Sequence, residues 1–85
     1  MVRPVRVLLF ATARTAVGRS ELAWDVPAEG IPAKTLTRAL AAAYPGLAPT
    51  LRVSRFVRNG RYLGRLTERV RHGDEFAVHP PYGGG

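Results

Sequence analysis

The sequence predicts an α+β fold of the β-grasp type, a mixed β-sheet with one main helix packed on one face. Three observations predict it. Apolar, strand-like segments stand near the two ends of the chain, one segment between them carries apolar residues at helical spacing, and short strand-and-turn segments complete the order β-β-α-β-β. In such a fold the first and last strands lie side by side and parallel at the centre of the sheet. That position accounts for an opening segment that is apolar on both faces.

The first strand is expected over 5–12, where Val5, Val7 and Leu9 face one way and Leu8 and Phe10 the other. Residues 13–19 suit a single helical turn closed by Gly18. Over 20–26, Leu22, Trp24 and Val26 alternate with Glu21 and Asp25, the period of a half-buried strand pairing with the first as a hairpin. A breaker-rich stretch, 27–32, precedes the one full helix, 33–44, with Leu36, Ala39, Leu40 and Ala43 on its buried stripe. Pro45-Gly46 is expected to stop it. A strand at 55–58 turns at Asn59-Gly60, the dipeptide best suited to a tight hairpin, and returns over 61–63. A second turn at 70–74 feeds a final strand, 75–79, ended by Pro80-Pro81 because proline cannot donate to a ladder. The expected organisation is one β-grasp domain over 1–79 and a flexible glycine-rich tail over 80–85.

A chain of 85 residues forms one domain, since domains usually exceed about 50 residues. A fold of this size hides only about 60% of its unfolded surface, which allows a thin core and no deep catalytic cavity. An enzyme acting alone is therefore not expected. The apolar fraction of 46% is ordinary for a globular domain. No apolar run approaches the roughly 18 residues of a membrane span, and 7–11 is too short for a signal segment. A cytoplasmic protein is expected. The absence of cysteine rules out disulfides, thiolate metal sites and a cysteine nucleophile. His72 and His79 lack neighbouring ligands at metal spacing, so no metal is expected.

Charge is the least ordinary feature. Thirteen basic residues, all arginine except Lys34, oppose six acids for a net charge of +7. Such a surface attracts acidic partners, either nucleic acid or an acidic protein groove. The arginines at 52, 55, 58, 61, 65, 69 and 71 have only Phe56 and Tyr62 interleaved and match no nucleic-acid motif, which favours a solvated basic surface over RNA binding.

Several local patterns resemble the MoaD family, the small sulfur-carrier subunits of molybdopterin synthase within the ubiquitin-like MoaD/ThiS carriers, and they come in the family's order. Phe10-Ala11-Thr12-Ala13-Arg14 with Val17-Gly18 resembles its opening. Leu36 and Leu40 with Tyr44-Pro45-Gly46-Leu47 resemble its helix and exit. Val57-Arg58-Asn59-Gly60 is similar to its hairpin turn, with Arg58 as an insertion. Val70, Gly73-Asp74-Glu75-Phe76 and Pro80-Pro81-Tyr82-Gly83-Gly84-Gly85 resemble its final strand and tail. Family members are usually neutral or acidic, so the basic surface is a departure, and it implies a partner with an unusually acidic docking face.

The resemblance implies that an E1-like, MoeB-like enzyme adenylates the Gly85 carboxylate with ATP, and that a sulfur donor protein converts it to a thiocarboxylate. A MoaE-like large subunit of molybdopterin synthase then takes the sulfur. The chain itself binds no cofactor. These residues suit that chemistry physically: a free carboxylate is a poor electrophile, glycines enter a narrow channel, and six residues from Pro80 to Gly85 reach roughly 20 Å on a proline-stiffened base. Pro80, Pro81, Tyr82, Gly83 and Gly84 form the partner-binding tail, with Gly83 the least essential glycine. Partner contact is expected on the sheet face near the tail, with Phe56 and Phe76 as apolar contacts, although both residues also suit the core. Thiamin, cysteine or tRNA thiolation, or a ubiquitin-like protein modifier, remain alternative roles for the same tail.

Overall fold

Side-chain alternation sets the first strand. In the computed structural model, which describes residues 3–81, β1 (Val5–Leu9) buries Val5, Val7 and Leu9 and leaves Arg6 exposed. The strand is shorter than expected. Ala11 takes a φ of 51° and leaves the extended path, and the alanine-rich residues that follow wind into α1 (Ala11–Val17), a seven-residue helix in place of the expected single turn. Gly18, at φ 82°, ends it by donating its N–H to the Arg14 carbonyl at 2.7 Å. β2 (Glu21–Trp24) then pairs antiparallel with β1, with Leu22 opposite Val7.

The stretch before the main helix holds an element that its prolines and glycine conceal. β3 (Ile31–Pro32) pairs with β6 (Arg69–Val70) in a separate two-stranded ribbon. α2 (Ala33–Ala43) follows at once and buries Ala33, Leu36 and Leu40. Ala43, expected on that stripe, is exposed, because the chain bends at Tyr44 and the fully buried Leu47 takes the next core position. Pro45-Gly46 ends α2 without ending helical geometry. A 3-10 turn (Pro45–Leu47) leads into α3 (Ala48–Val53). Proline in a first helical turn sacrifices no hydrogen bond, so Pro45 and Pro49 begin helices here. Among the described residues α2 is thus the longest of three α-helices and not the only one.

β4 (Arg55–Arg58) and β5 (Arg61–Tyr62) form the expected hairpin, and both Asn59 and Gly60 have positive φ, 51° and 84°. Arg58 makes no bulge. It pairs directly with Arg61 and donates to the Arg69 carbonyl at 2.6 Å and to Glu68 at 3.2 Å. The last strand, β7 (Glu75–His79), lies parallel to β1 and antiparallel to β4. The five-stranded sheet therefore runs β2-β1-β7-β4-β5.

This is a β-grasp sheet with its helices on one face. Leu9, Leu36, Leu40, Leu47 and Phe76 are enclosed between the two layers, each contributing about 1.5–3 kcal/mol by burial. The other face is more open than the apolar opening segment suggested, for Leu8 is half-buried and Phe10 is 43% exposed. Among the described residues no helix is long and apolar enough to cross a membrane.

Candidate functional site

The central strand β7 points at the end of the chain. Its parallel register with β1 runs from Arg6 opposite Glu75 to Leu9 opposite Val78, so Phe10 and His79 come next to each other. Their rings stack with centroids 4.6 Å apart and 16° between planes. On the other side Arg55 pairs with His79. Pro80 is half-buried and Pro81 exposed, and the ladder stops where prolines begin. Phe10, His79 and Arg55 thus frame the root of the 80–85 segment. Pro80 and Pro81 stand at that root; Tyr82, Gly83, Gly84 and Gly85 lie outside the described residues.

From this root an apolar row crosses the open face of the sheet. Leu8 pairs with Ala77, Ala77 with Val57 and Val57 with Tyr62, and partners across a ladder share a face. Tyr62, on the edge strand, is 65% exposed, and the Arg55 guanidinium lies over its ring at 5.6 Å from the centroid. At the end of the face away from the root, Arg6 donates to Glu21 at 3.1 and 3.2 Å and to Glu75 at 3.4 Å. Those bonds from Arg6, followed by its positive charge, hold the Glu21 carboxyl below the ordinary glutamate range.

The two phenylalanines expected on this face are not on it. Phe76 is fully buried and Phe56 is 8% exposed, and their rings stack at 5.3 Å inside the core. Alternation explains the correction: both residues have the parity of Val78, which faces the helices, whereas Val57 and Ala77 have the opposite parity. Phe10, Leu8, Val57 and Tyr62 supply the apolar surface instead. Leu8 and Phe10 were legible as the second face of β1, but their place beside the tail depends on the β1–β7 pairing.

The histidines have structural contacts. The His72 ring donates from Nε2 to the Val26 carbonyl, tying the last turn to the segment after β2, and His79 stacks on Phe10. Among the described residues no three histidine or acidic side chains gather as a metal site would require.

A family profile, the ThiS family, matches residues 7–85. The chain belongs to the ThiS family. Two relatives span nearly its whole length. The molybdopterin synthase sulfur carrier subunit of Dictyostelium discoideum is 31% identical over 86 residues, covering 100% of both chains. The protein of the same name from Chlamydomonas reinhardtii is 30% identical over 82 residues, covering 95% of this chain and 98% of its own. Among solved structures, the small archaeal modifier protein 1 of Haloferax volcanii superposes with a TM-score of 0.78 at 26% identity, covering 94% of this chain and 99% of that one. This ThiS-family chain therefore shares its ubiquitin-like fold with proteins named as carriers and as modifiers.

Proposed function

We propose that this chain is a sulfur carrier of molybdopterin synthesis that works through a thiocarboxylate on Gly85. The observation that carries the reading is the full-length likeness to two molybdopterin synthase sulfur carrier subunits, with a family match that extends to the last glycine. In this reading an E1-like, MoeB-like enzyme joins the Gly85 carboxylate to AMP from ATP and releases pyrophosphate. Sulfur delivered at the sulfide level by a donor protein displaces AMP and leaves the thiocarboxylate. That sulfur passes to a precursor on a MoaE-like large subunit, and an oxygen from water restores the carboxylate. ATP belongs to the activating enzyme, and a cytoplasmic cycle is part of this reading.

The fold supports the reading by what it holds in place. The root of the tail follows a central strand paired on both sides, so the stem starts from one of the best-fixed parts of the sheet. Phe10 stacks on His79 and Pro80 is half-buried, so the root itself is already ordered before a partner takes the tail. The row from Leu8 to Tyr62 offers apolar contact beside it.

Intact mass spectrometry tests the reading. Incubation with the activating enzyme, ATP and a sulfur donor is expected to raise the mass by the exchange of one oxygen for one sulfur, and an unchanged mass refutes it. The modifier reading, favoured by the likeness to the archaeal modifier, predicts instead covalent conjugates in cells that resist denaturation and vanish when Gly85 is removed.

A further inference from the structure

The surplus of arginine has a place in this fold. Between α2, α3 and the β4–β5 hairpin lies a groove of about 640 Å³. Its floor is apolar, made by Ala41 of α2, Ala48 and Leu51 of α3, Phe56 of β4, and Leu63. Alanines on both helices keep that floor low enough for a bulky side chain to enter. At its edge Tyr62 and Leu66 are 65% and 43% exposed.

Four arginines, Arg38, Arg52, Arg55 and Arg65, stand around this floor, and no acidic side chain lines it. None of the four forms an ion pair with a described side chain. Glu68, two residues beyond Leu66, is already engaged, accepting from Arg58 and from the Gly64 and Arg65 backbone. A concave apolar surface ringed by one sign of charge attracts its complement and rejects like-charged partners. Tyrosine and arginine are also the side chains that most often anchor protein interfaces.

We propose that this groove docks an acidic amphipathic segment of a partner protein, with its apolar side chains on the alanine-lined floor and its carboxylates against the arginines. Helices laid into apolar grooves are a common form of such recognition. Arg55 opens β4 opposite His79, so the groove begins one strand away from the root of the tail. The docking requires no sulfur chemistry and stands apart from the carrier reading.

A synthetic amphipathic helix with leucines along one stripe and glutamates beside it is the probe, titrated into the full-length, isotope-labelled chain. Amide shifts are expected at Ala41, Leu51, Tyr62 and Leu66. The double variant Arg38→Glu, Arg52→Glu is expected to bind about tenfold more weakly or worse, as is Leu66→Ser, with circular dichroism checking that each variant is folded. Added salt should weaken binding, and a chain lacking 83–85 should bind as well as the intact one. Loss of sulfur loading in that shortened chain with peptide binding retained would separate the two proposals. The groove assignment is overturned by shifts centred on Leu8 and Ala77, by equal binding of a peptide with lysines replacing the glutamates, or by undiminished affinity in the double variant. Self-association that fills the groove, seen by sedimentation, would overturn it too.

Discussion

Gly30, just before β3, meets a tight backbone constraint against β6. Its φ is 77°, and a Cβ there would stand 2.7 Å from the Val70 carbonyl oxygen and 2.8 Å from Arg71 Cγ. Gly30→Ala therefore adds a steric clash to backbone strain and is expected to cost about 2–3 kcal/mol. Gly18 has a similar φ of 82° with nothing within 4 Å, so Gly18→Ala should cost only about 1 kcal/mol. Urea unfolding of the two variants checks the order, and equal losses would contradict it. Glu68 governs a different response. Its carboxylate accepts the Arg65 and Gly64 backbone N–H groups at 3.0 and 2.8 Å, and these bonds, Arg65's first, with a smaller contribution from the Arg58 charge, hold it below the ordinary glutamate range. A group depressed in the folded state stabilises above its unfolded pKa and loses that stabilisation as pH falls through the folded one. Stability should thus decline from the ordinary glutamate range downward. Glu68→Gln is expected to make that acid-side slope shallower in urea midpoints measured against pH, and an identical slope would rule out the contribution.

Elements depend on residues at their junctions. Leu47 sits in the 3-10 turn between α2 and α3 and is fully buried, so it locks both helices to the sheet. Leu47→Ala is expected to cost about 2–5 kcal/mol in urea unfolding. A loss below 1 kcal/mol would show that the helical corner repacks freely. The Phe10–His79 stack acts between elements, joining the start of α1 to the end of β7. Because Phe10 is 43% exposed, Phe10→Ala should cost about 1 kcal/mol or less in stability. It should nevertheless lower kcat/KM for sulfur loading several-fold, because the root of the tail loses a constraint. Unchanged loading would remove Phe10 from the proposed site.

For the whole molecule, the buried core lies within residues 5–78, so deleting 83–85 should leave the melting temperature within about 2 °C of the intact chain while abolishing sulfur loading. A large drop in melting temperature would mean that the tail is part of the fold. The order of the main strands, the principal helix, the Asn59-Gly60 turn and the Pro80-Pro81 stop were legible because alternation, helical spacing and turn chemistry act over a few neighbouring residues. α3 and the β3–β6 ribbon were not. Pro45-Gly46 reads locally as a stop, although proline also starts helices, and two-residue strands carry no periodicity to detect. The face assigned to Phe56 and Phe76 failed for a related reason: alternation separates a strand's two sides but does not say which side the helices cover. By itself, then, the sequence determined the β-grasp class, the proline stop after the last strand and the excess of positive charge. Only the tertiary structure decided that Phe10 meets His79 at the root of the tail, and that arginines from α2, α3, β4 and the loop after β5 ring one groove. Both facts join residues far apart in the chain, and such contacts are fixed by packing against a shared core.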